Sequence, residues 1–569
     1  MPPTVAEEFA DSSGPPSRSR SDPHLIRRRR RQIAVLLLFA ALYLGFPNAL
    51  PDFNRYNSDD AGLYAALAES LAQGRGYTFF LPPLSIPHAV WPPVFPAVLS
   101  VVVFLFGPQL LALKLAMAVL GLIGLVCVYV YFERVRRTPY AGTIVLVTGL
   151  SPLYFAFAHN TMADLPILIP VVLSLGSIAL WARAEFRLGT RVFWAAAVSV
   201  ACATLLKPQA VVLVVCPVVC AWSGRGRLPA KQTAGRLAVF TLVALAPFAV
   251  WVLRGHAVEA AGYGQSSQFY ADSARQSEAS LHWSELLSEL DGGLLGRTVA
   301  SLRWTLPYAL AEATWPIVNP FNLASLRWPR GSAYLLALVL LMPVLIGFLR
   351  ELRDGERIAT TFFVAHTVLV TMSPNWTNPR FFVVLVPFAV FYTLRGLEPV
   401  LRSNVITGVV SKGFVAAAAV ALTVYLVQQH RNPFPNALWA ALNDTARWSA
   451  INLPPTATVL THNWVDFHLI SGLVAFPIAS PAGASESDWR AVGEGRTIFL
   501  VQPLRARLEE VELSRKFPAR WDSWVTRHAS EIELVFQNGY YRVYRIPFIP
   551  LDALGVTGHG ASESIPGGP

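Results

Sequence analysis

Charge is scarce in this chain. Only 14% of its 569 residues are charged, against 54% apolar, and that ratio excludes a soluble globule, which would leave too much apolar surface in water. Cysteine is scarcer still. The four present (Cys127, Cys202, Cys216, Cys220) all lie in apolar stretches, which leaves no basis for a disulfide framework or a structural zinc site, while the redox compartment stays open. No internal repeat is evident, which weighs against transporter folds built from inverted halves. No small-residue cleavage site follows the first apolar stretch, so that stretch reads as an uncleaved helix rather than a signal peptide. The net charge of +11 is not gathered into one patch. It is spread in short clusters between apolar runs, and no nucleic-acid partner is expected.

What remains is a chain made for a bilayer. Residues 1–31, rich in Ser, Pro and charge and ending in five arginines (Arg27 to Arg31), read as a disordered basic cytoplasmic tail. Arginines beside the first span hold that end in the cytoplasm, so the segment after the span emerges on the extracytoplasmic face. Spans are expected at about 32–50, 110–132, 141–158, 165–182, 192–206, 209–222, 237–253, 332–349, 358–372, 381–394 and 405–427, about eleven in all. Arg and Lys concentrate in the predicted inner loops, at Arg134, Arg136 and Arg137, Arg183 to Arg191, Arg225 to Arg236, Arg350 to Arg357 and Arg395 to Lys412. An odd number of spans puts the C-terminus outside. The run Val94 to Phe106, bounded by Pro92-Pro93 and Gly107-Pro108, is too short to cross and is expected as an interfacial or re-entrant helix.

The expected fold class is therefore mainly α: a polytopic membrane helical bundle over 32–429, with outer loops 52–109 and 255–331. Trp283, Trp304, Trp315 and Trp328 mark the second loop as interfacial helices roofing a site at the membrane surface. Residues 430–552 change character. Strand-like runs at Ala457 to Leu460, Thr497 to Val501, Leu534 to Gln537 and Tyr540 to Tyr544 alternate with helical stretches such as 503–515, giving a small extracytoplasmic α/β domain with a flexible tail from 553.

Several polar residues stand where apolar neighbours make them costly. Asp59 and Asp60 precede Tyr64 in a segment, 60–73, whose pattern suits a helix lying on the membrane. Acids there can cap a helix N-terminus, or one of them can take a proton from an acceptor hydroxyl while the other orients it or binds a cation. Asp164 lies between two spans, where a bare carboxylate wants protein, water or a cation; it is either a helix N-cap or part of a site that His159 and Asn160 also line. Lys207 and Arg380 sit at outer boundaries that the positive-inside rule disfavours. They either snorkel to lipid phosphates or read the phosphate of a bound substrate. His462, Asp466 and His468 have a spacing that invites a metal reading, but no fourth ligand accompanies them, and a strand end followed by a helix explains them equally. Asn375 and Asn443 begin sequons, meaningful only in a host that glycosylates them.

Taken together, DDAGLYAALAESLAQGRGY, then WPPVFPAVLSVVVFLFG, NTMADLP after the third span and NPRFFVVLVP before the tenth resemble the GT-C class of membrane glycosyltransferases. The likeness is to bacterial polyprenyl-phosphate-sugar transferases akin to the dolichyl-phosphate-mannose protein mannosyltransferases, the aminoarabinose transferase of lipid A and the lipopolysaccharide-core galacturonosyltransferases. It covers roughly 33–430. The resemblance implies an inverting transfer of a sugar from a polyprenyl phosphate to an acceptor hydroxyl on a glycan, lipid or protein. No nucleotide-binding motif is then needed, and the expected place is the inner (plasma) membrane, with membrane lipids as partners. It puts the catalytic acid pair on Asp59 and Asp60, with Asp59 the base, and a further acid on Asp164. Lys207 and Arg380 become the binders of the donor phosphate, and Tyr64, His88, Trp91, His159 and Asn160 line the substrate. A divalent cation, held by Asp59 and Asp164, is an open possibility. One departure stands out: where the family often carries Lys or Arg before the Pro-Pro of the first loop, this chain has His88-Ala89-Val90-Trp91. Trp91 then suits stacking on a sugar face and His88 a partial replacement of the cation. The alternatives are transfer of a whole oligosaccharide, a non-catalytic assembly factor, and a transporter or flippase for a lipid-linked or anionic substrate. A transporter would place its key charges mid-span and need no folded outer domain.

Overall fold

The computed structural model describes residues 23–45, 59–78, 86–223, 229–261, 306–307, 310–311, 315, 330–372, 379–399, 404–431, 437–461, 464–478, 486–504 and 519–554. The bundle begins with α1 (Pro23–Gly45), α2 (Asp59–Ala72), α3 (Val94–Phe106) and α4 (Leu110–Val130), the last running on through a wide turn to Val135. It continues with α5 (Ala141–Leu150), α6 (Pro152–Phe157), α7 (Leu168–Arg183), α8 (Arg191–Thr204), α9 (Val215–Ser223) and α10 (Ala230–Ala260). Then come α11 (Arg330–Arg353), α12 (Ile358–Met372), α13 (Val386–Leu397) and α14 (Asn404–Arg431). Tight 3-10 turns at Pro208–Val214 and Pro379–Leu385 lead into α9 and α13.

These helices fall on the eleven expected stretches plus the short α2 and α3. Among the described residues, five are by themselves long and apolar enough to cross a membrane: Leu110–Val135, Ala230–Val258, Tyr334–Arg353, Arg380–Leu397 and Gly408–Arg431. Two others are broken at prolines. Pro152 restarts the chain as α6 directly after α5, and Pro208 opens the 3-10 turn that precedes α9.

With lipid as apolar as leucine, helix association here rests on close packing. Gly347 and Gly396 show it best: a Cβ on the first would lie 1.8 Å from Tyr392 O, and on the second 1.9 Å from Pro343 O. The backbones of α11 and α13 therefore touch. Tyr43 of α1 donates to Gly149 O at 2.7 Å, fastening α1 onto α5.

The α2 segment departs from expectation. A helix lying on the membrane would leave one face open, but Ala61, Leu63, Tyr64, Ala65, Leu67 and Ala68 are all buried. The helix is wedged between α3 and a helix of the C-terminal region. Of the four tryptophans expected to roof the site, Trp283, Trp304 and Trp328 lie outside the described residues, and Trp315 donates its indole N–H to Leu340 O at 2.6 Å.

After α15 (Ala437–Asn452) the C-terminal region runs β1 (Thr458–Thr461), α16 (Trp464–Ser471), β2 (Val474–Pro477), α17 (Glu486–Gly493), β3 (Ile498–Pro503), α18 (Ala519–Arg527), β4 (Glu533–Gln537) and β5 (Tyr541–Ile546). The strands form one sheet in the order β2-β1-β3-β5-β4. The β1 pairings are parallel, Val459 facing Ala475 and Phe499; β3–β5 and β5–β4 are antiparallel, with a bulge between Leu534 and Phe536. β2 was not expected, and the helix expected over 503–515 falls mostly outside the described residues. Asn443 of the second sequon is buried within α15, so the folded protein does not present it for glycosylation; Asn375 lies outside the described residues.

Candidate active site

Four charged residues from four separate segments meet at one end of the bundle. Asp60 is the second residue of α2, Asp164 lies in the turn between α6 and α7, Lys207 is the extended residue just before the 3-10 turn at Pro208, and Arg380 is in the turn leading to α13. Arg380 Nη1 donates to Asp60 Oδ2 at 2.9 Å, and Lys207 Nζ donates to Asp164 Oδ1. The two pairs converge on one ring. The Lys207 ammonium lies 4.7 Å and the Arg380 guanidinium 4.6 Å from the centroid of Phe381, each over its face, an arrangement in which the ring quadrupole attracts both cations. Snorkelling to bulk lipid alone does not describe two cations that are largely buried and paired.

Local sequence explains these positions. Pro208 and Pro379 each open a 3-10 turn where an α-helix would otherwise continue, and each sets its cation at the break. His366 of α12 donates from Nε2 to Phe381 O at 2.9 Å, pinning the turn that carries Arg380 and Phe381. His366 was not among the expected site residues; a single His inside an apolar run gives no signal of a partner fifteen residues on. Lys114, buried in the second turn of α4 and near His159, gives as little local signal.

The remaining expected residues are less exposed to a substrate than their sequence positions implied. Tyr64 packs edge-on against Trp91 and Phe95 at 6.0 and 4.9 Å, holding α2 on α3. His88 stacks on Trp91 at 5.0 Å, and its Nε2 accepts the Trp91 backbone N–H at 2.9 Å. Burial, reinforced by Arg254, pushes the His88 pKa down to about 3. A neutral, hydrogen-bonded His88 does not replace the missing cation, and its stacking covers part of the Trp91 ring that was expected to meet a sugar. The positive charge at this loop comes from elsewhere: Arg254 of α10 donates to His88 O at 2.6 Å and lies 4.8 Å from the Trp251 ring and 5.7 Å from that of Tyr77. His159 places its ring nitrogens 2.9 Å from Phe155 O and 3.0 Å from Tyr43 O, joining α6 to α1; Asn160 is buried beside it.

Asp59 is the first residue of α2, and its side chain lies outside what is described. Asp164 Oδ1 accepts from the Lys207 ammonium. Among the described residues no group of three or more His, Cys, Asp and Glu gathers to hold a metal. His462 lies outside them, and His468 bonds to Glu69 instead.

At the other end of the bundle Glu351 bridges Arg136 and Arg395, and Arg395 also reaches Asp354 and Glu398. These charges line a cleft of about 420 Å³ with Thr138 and Phe391. Arg183, Arg236 and Arg350 donate to the backbone carbonyls of Val135, Glu185 and Arg395 respectively.

Residues 90–251 match the family described as dolichyl-phosphate-mannose-protein mannosyltransferase. No curated protein sequence matches the chain significantly. Among solved structures the chain is similar to the crystal structure of ArnT from Cupriavidus metallidurans bound to undecaprenyl phosphate. That likeness has a TM-score of 0.50 at 15% identity and covers 90% of this chain and 98% of the other. The apo crystal structure of the same ArnT gives 0.51 at 15% identity, over 93% and 99%. At such identity the likeness is one of fold. A helical membrane bundle carrying a small C-terminal sheet, as read from the motifs, is therefore the GT-C fold.

Proposed function

We propose, from that fold and this site, that the protein transfers a sugar from a polyprenyl phosphate to an acceptor hydroxyl at the extracytoplasmic face, with inversion. The observation that carries the reading is the pair of carboxylate–cation contacts meeting on Phe381. A departing lipid phosphate needs preorganised positive charge at headgroup depth, and Lys207 and Arg380 supply it at helix breaks rather than mid-span, where a carrier would place them.

Asp59 is the proposed base. It takes the acceptor hydroxyl proton as that oxygen bonds to the anomeric carbon, and the bond from that carbon to the phosphate oxygen breaks. Arg380 and Lys207 stabilise the released phosphate. Asp60 orients Arg380 and Asp164 orients Lys207 through their hydrogen bonds. No step is routed through a metal. The basic residues gathered at the other end support a cytoplasmic placement of that end, with α2 and the sheet outside. The disordered reading of 1–31 is corrected at Pro23, where α1 starts and carries the five arginines; the proposed domain division is therefore a tail before Pro23, the bundle from there to 429, an outer domain over 430–552 and a second tail beyond. The acceptor, whether glycan, lipid or protein, then approaches from the outer aqueous side.

The test is mass spectrometry of envelope glycans and glycoproteins from a deletion strain complemented with wild type or Asp59→Asn at matched membrane levels. Loss of one sugar modification, restored by wild type alone, is expected. Full restoration by Asp59→Asn refutes the base assignment, and an unchanged glycan profile in the deletion strain refutes the transferase reading.

A further inference from the structure

Nine residues beyond Asp60 on α2, the side chain of Glu69 engages the C-terminal domain. Its Oε2 lies 3.1 Å from Nε2 of His468 on α16, and its Oε1 accepts from Gln73 Nε2 at 2.8 Å. His468 Nδ1 lies 2.7 Å from Leu473 O. Both neighbours of the imidazole are acceptors, an arrangement that favours the doubly protonated ring facing the Glu69 carboxylate. Glu69 and His468 are 5% and 8% exposed. An apolar pair of similar volume would hold two helices together as well as a buried ion pair does; what the charges add is register, because sliding either helix strands both of them in an apolar contact. A slip of one residue along α2 is about 1.5 Å, enough to take Asp60 off Arg380.

We infer that His468 is a positioning residue: through Glu69 it locks the register of α2, so that the C-terminal domain holds Asp60 on Arg380. This rests on the transferase reading, and its test separates the two. The charged groups acting on His468 are Glu69 and, more distantly, Arg75 from the turn after α2. The Glu69 contact raises the His468 pKa above its usual 6.5, and the Glu69 pKa is lowered from 4.5 despite burial. The lock is therefore complete below the ordinary histidine value of 6.5 and is lost as pH rises through the raised His468 pKa.

The experiment uses full-length protein in nanodiscs with an undecaprenyl-phosphate sugar as donor. It reads kcat and KM from about pH 6 to 9 together with amide hydrogen exchange over 59–72, in wild type, His468→Ala, His468→Gln and Glu69→Leu. His468→Ala is expected to lower kcat by about 100-fold, the scale of a 1 Å misplacement, with donor KM little changed and faster exchange in α2. His468→Gln, whose amide still donates to Glu69, is expected to recover most of the rate and to lack the alkaline fall of the wild type. Wild-type kcat and exchange in His468→Ala overturn the inference. Should that variant not fold, wild-type values in Glu69→Leu, which leaves His468 no acceptor on α2, overturn it equally. If α2 exchange rises in His468→Ala while even the wild type transfers nothing from lipid-linked donors, the lock stands and the transferase reading falls.

Discussion

Asp60 accepts a hydrogen bond from Arg380 at 2.9 Å across 320 residues of sequence. If the two act as one unit on the departing phosphate, removing either removes most of what both do. Asp60→Asn and Arg380→Gln are each expected to lower kcat by about 10²- to 10³-fold, and the double variant is expected to be little worse than either alone. Initial rates of sugar release from a lipid-linked donor check this, and multiplicative losses would show that the two act independently.

Lys207 and Asp164 are the more buried pair, with the Asp164 side chain 2% exposed. Removing one partner of such a pair leaves an uncompensated charge at a cost of about 3–5 kcal/mol, whereas removing both costs far less. Thermal unfolding in detergent should therefore show Lys207→Met and Asp164→Asn each well below wild type, and the double variant above both. A double variant as unstable as the sum of the singles would mean that the contact carries little of the energy.

The α11–α13 contact leaves no room for a side chain. Gly347→Leu or Gly396→Leu must separate the two backbones, because the obstructing atoms, Tyr392 O and Pro343 O, are main-chain atoms that cannot swing aside. Neither variant is expected to run as a monodisperse peak in size-exclusion chromatography from detergent, whereas Gly142→Leu, with open space at its Cβ, is expected to do so. A normal peak for Gly396→Leu contradicts the packing.

His88 is held neutral in the folded loop, with a pKa of about 3, and titrates near 6.5 when exposed. Between those values the unfolded chain binds more protons than the folded one. Its contribution is therefore intact above pH 6.5 and shrinks as pH falls toward 3, by about 1.4 kcal/mol per pH unit. His88→Gln keeps an acceptor for the Trp91 N–H without a titrating ring. The difference in apparent Tm between pH 7.5 and pH 5 is expected to be smaller in the variant than in wild type. Equal acid sensitivity would remove His88 from the account.

Much of the scaffold was legible because local rules settle it. Pro92-Pro93 and Gly107-Pro108 bracket α3 at Val94 and Phe106, and four of the five strands lie where β-rich runs end at turns. The strand β2 escaped because Val-Ala-Phe-Pro is short, ends in proline and shows no alternation, being largely buried on both faces in a parallel pairing. The acid and cation positions were legible because charge at the edge of an apolar span is costly and stands out. The contacts that hold the surrounding segments were not: Arg254 on the backbone of His88, His366 on that of Phe381 and His468 on Glu69 act across folds of the chain that no local pattern records. Glu69 itself reads as an ordinary polar helix position until the C-terminal domain covers it.

The most direct measurement is the release of polyprenyl phosphate by purified protein in nanodiscs supplied with undecaprenyl-phosphate sugars and an envelope extract as acceptor, comparing wild type with Asp60→Asn. Wild type is expected to release lipid phosphate one for one with a glycosidic product of inverted anomeric configuration, at a rate at least about 100-fold above Asp60→Asn. No release from any lipid-linked donor, or equal release by the two proteins, would contradict the assignment of this site to sugar transfer.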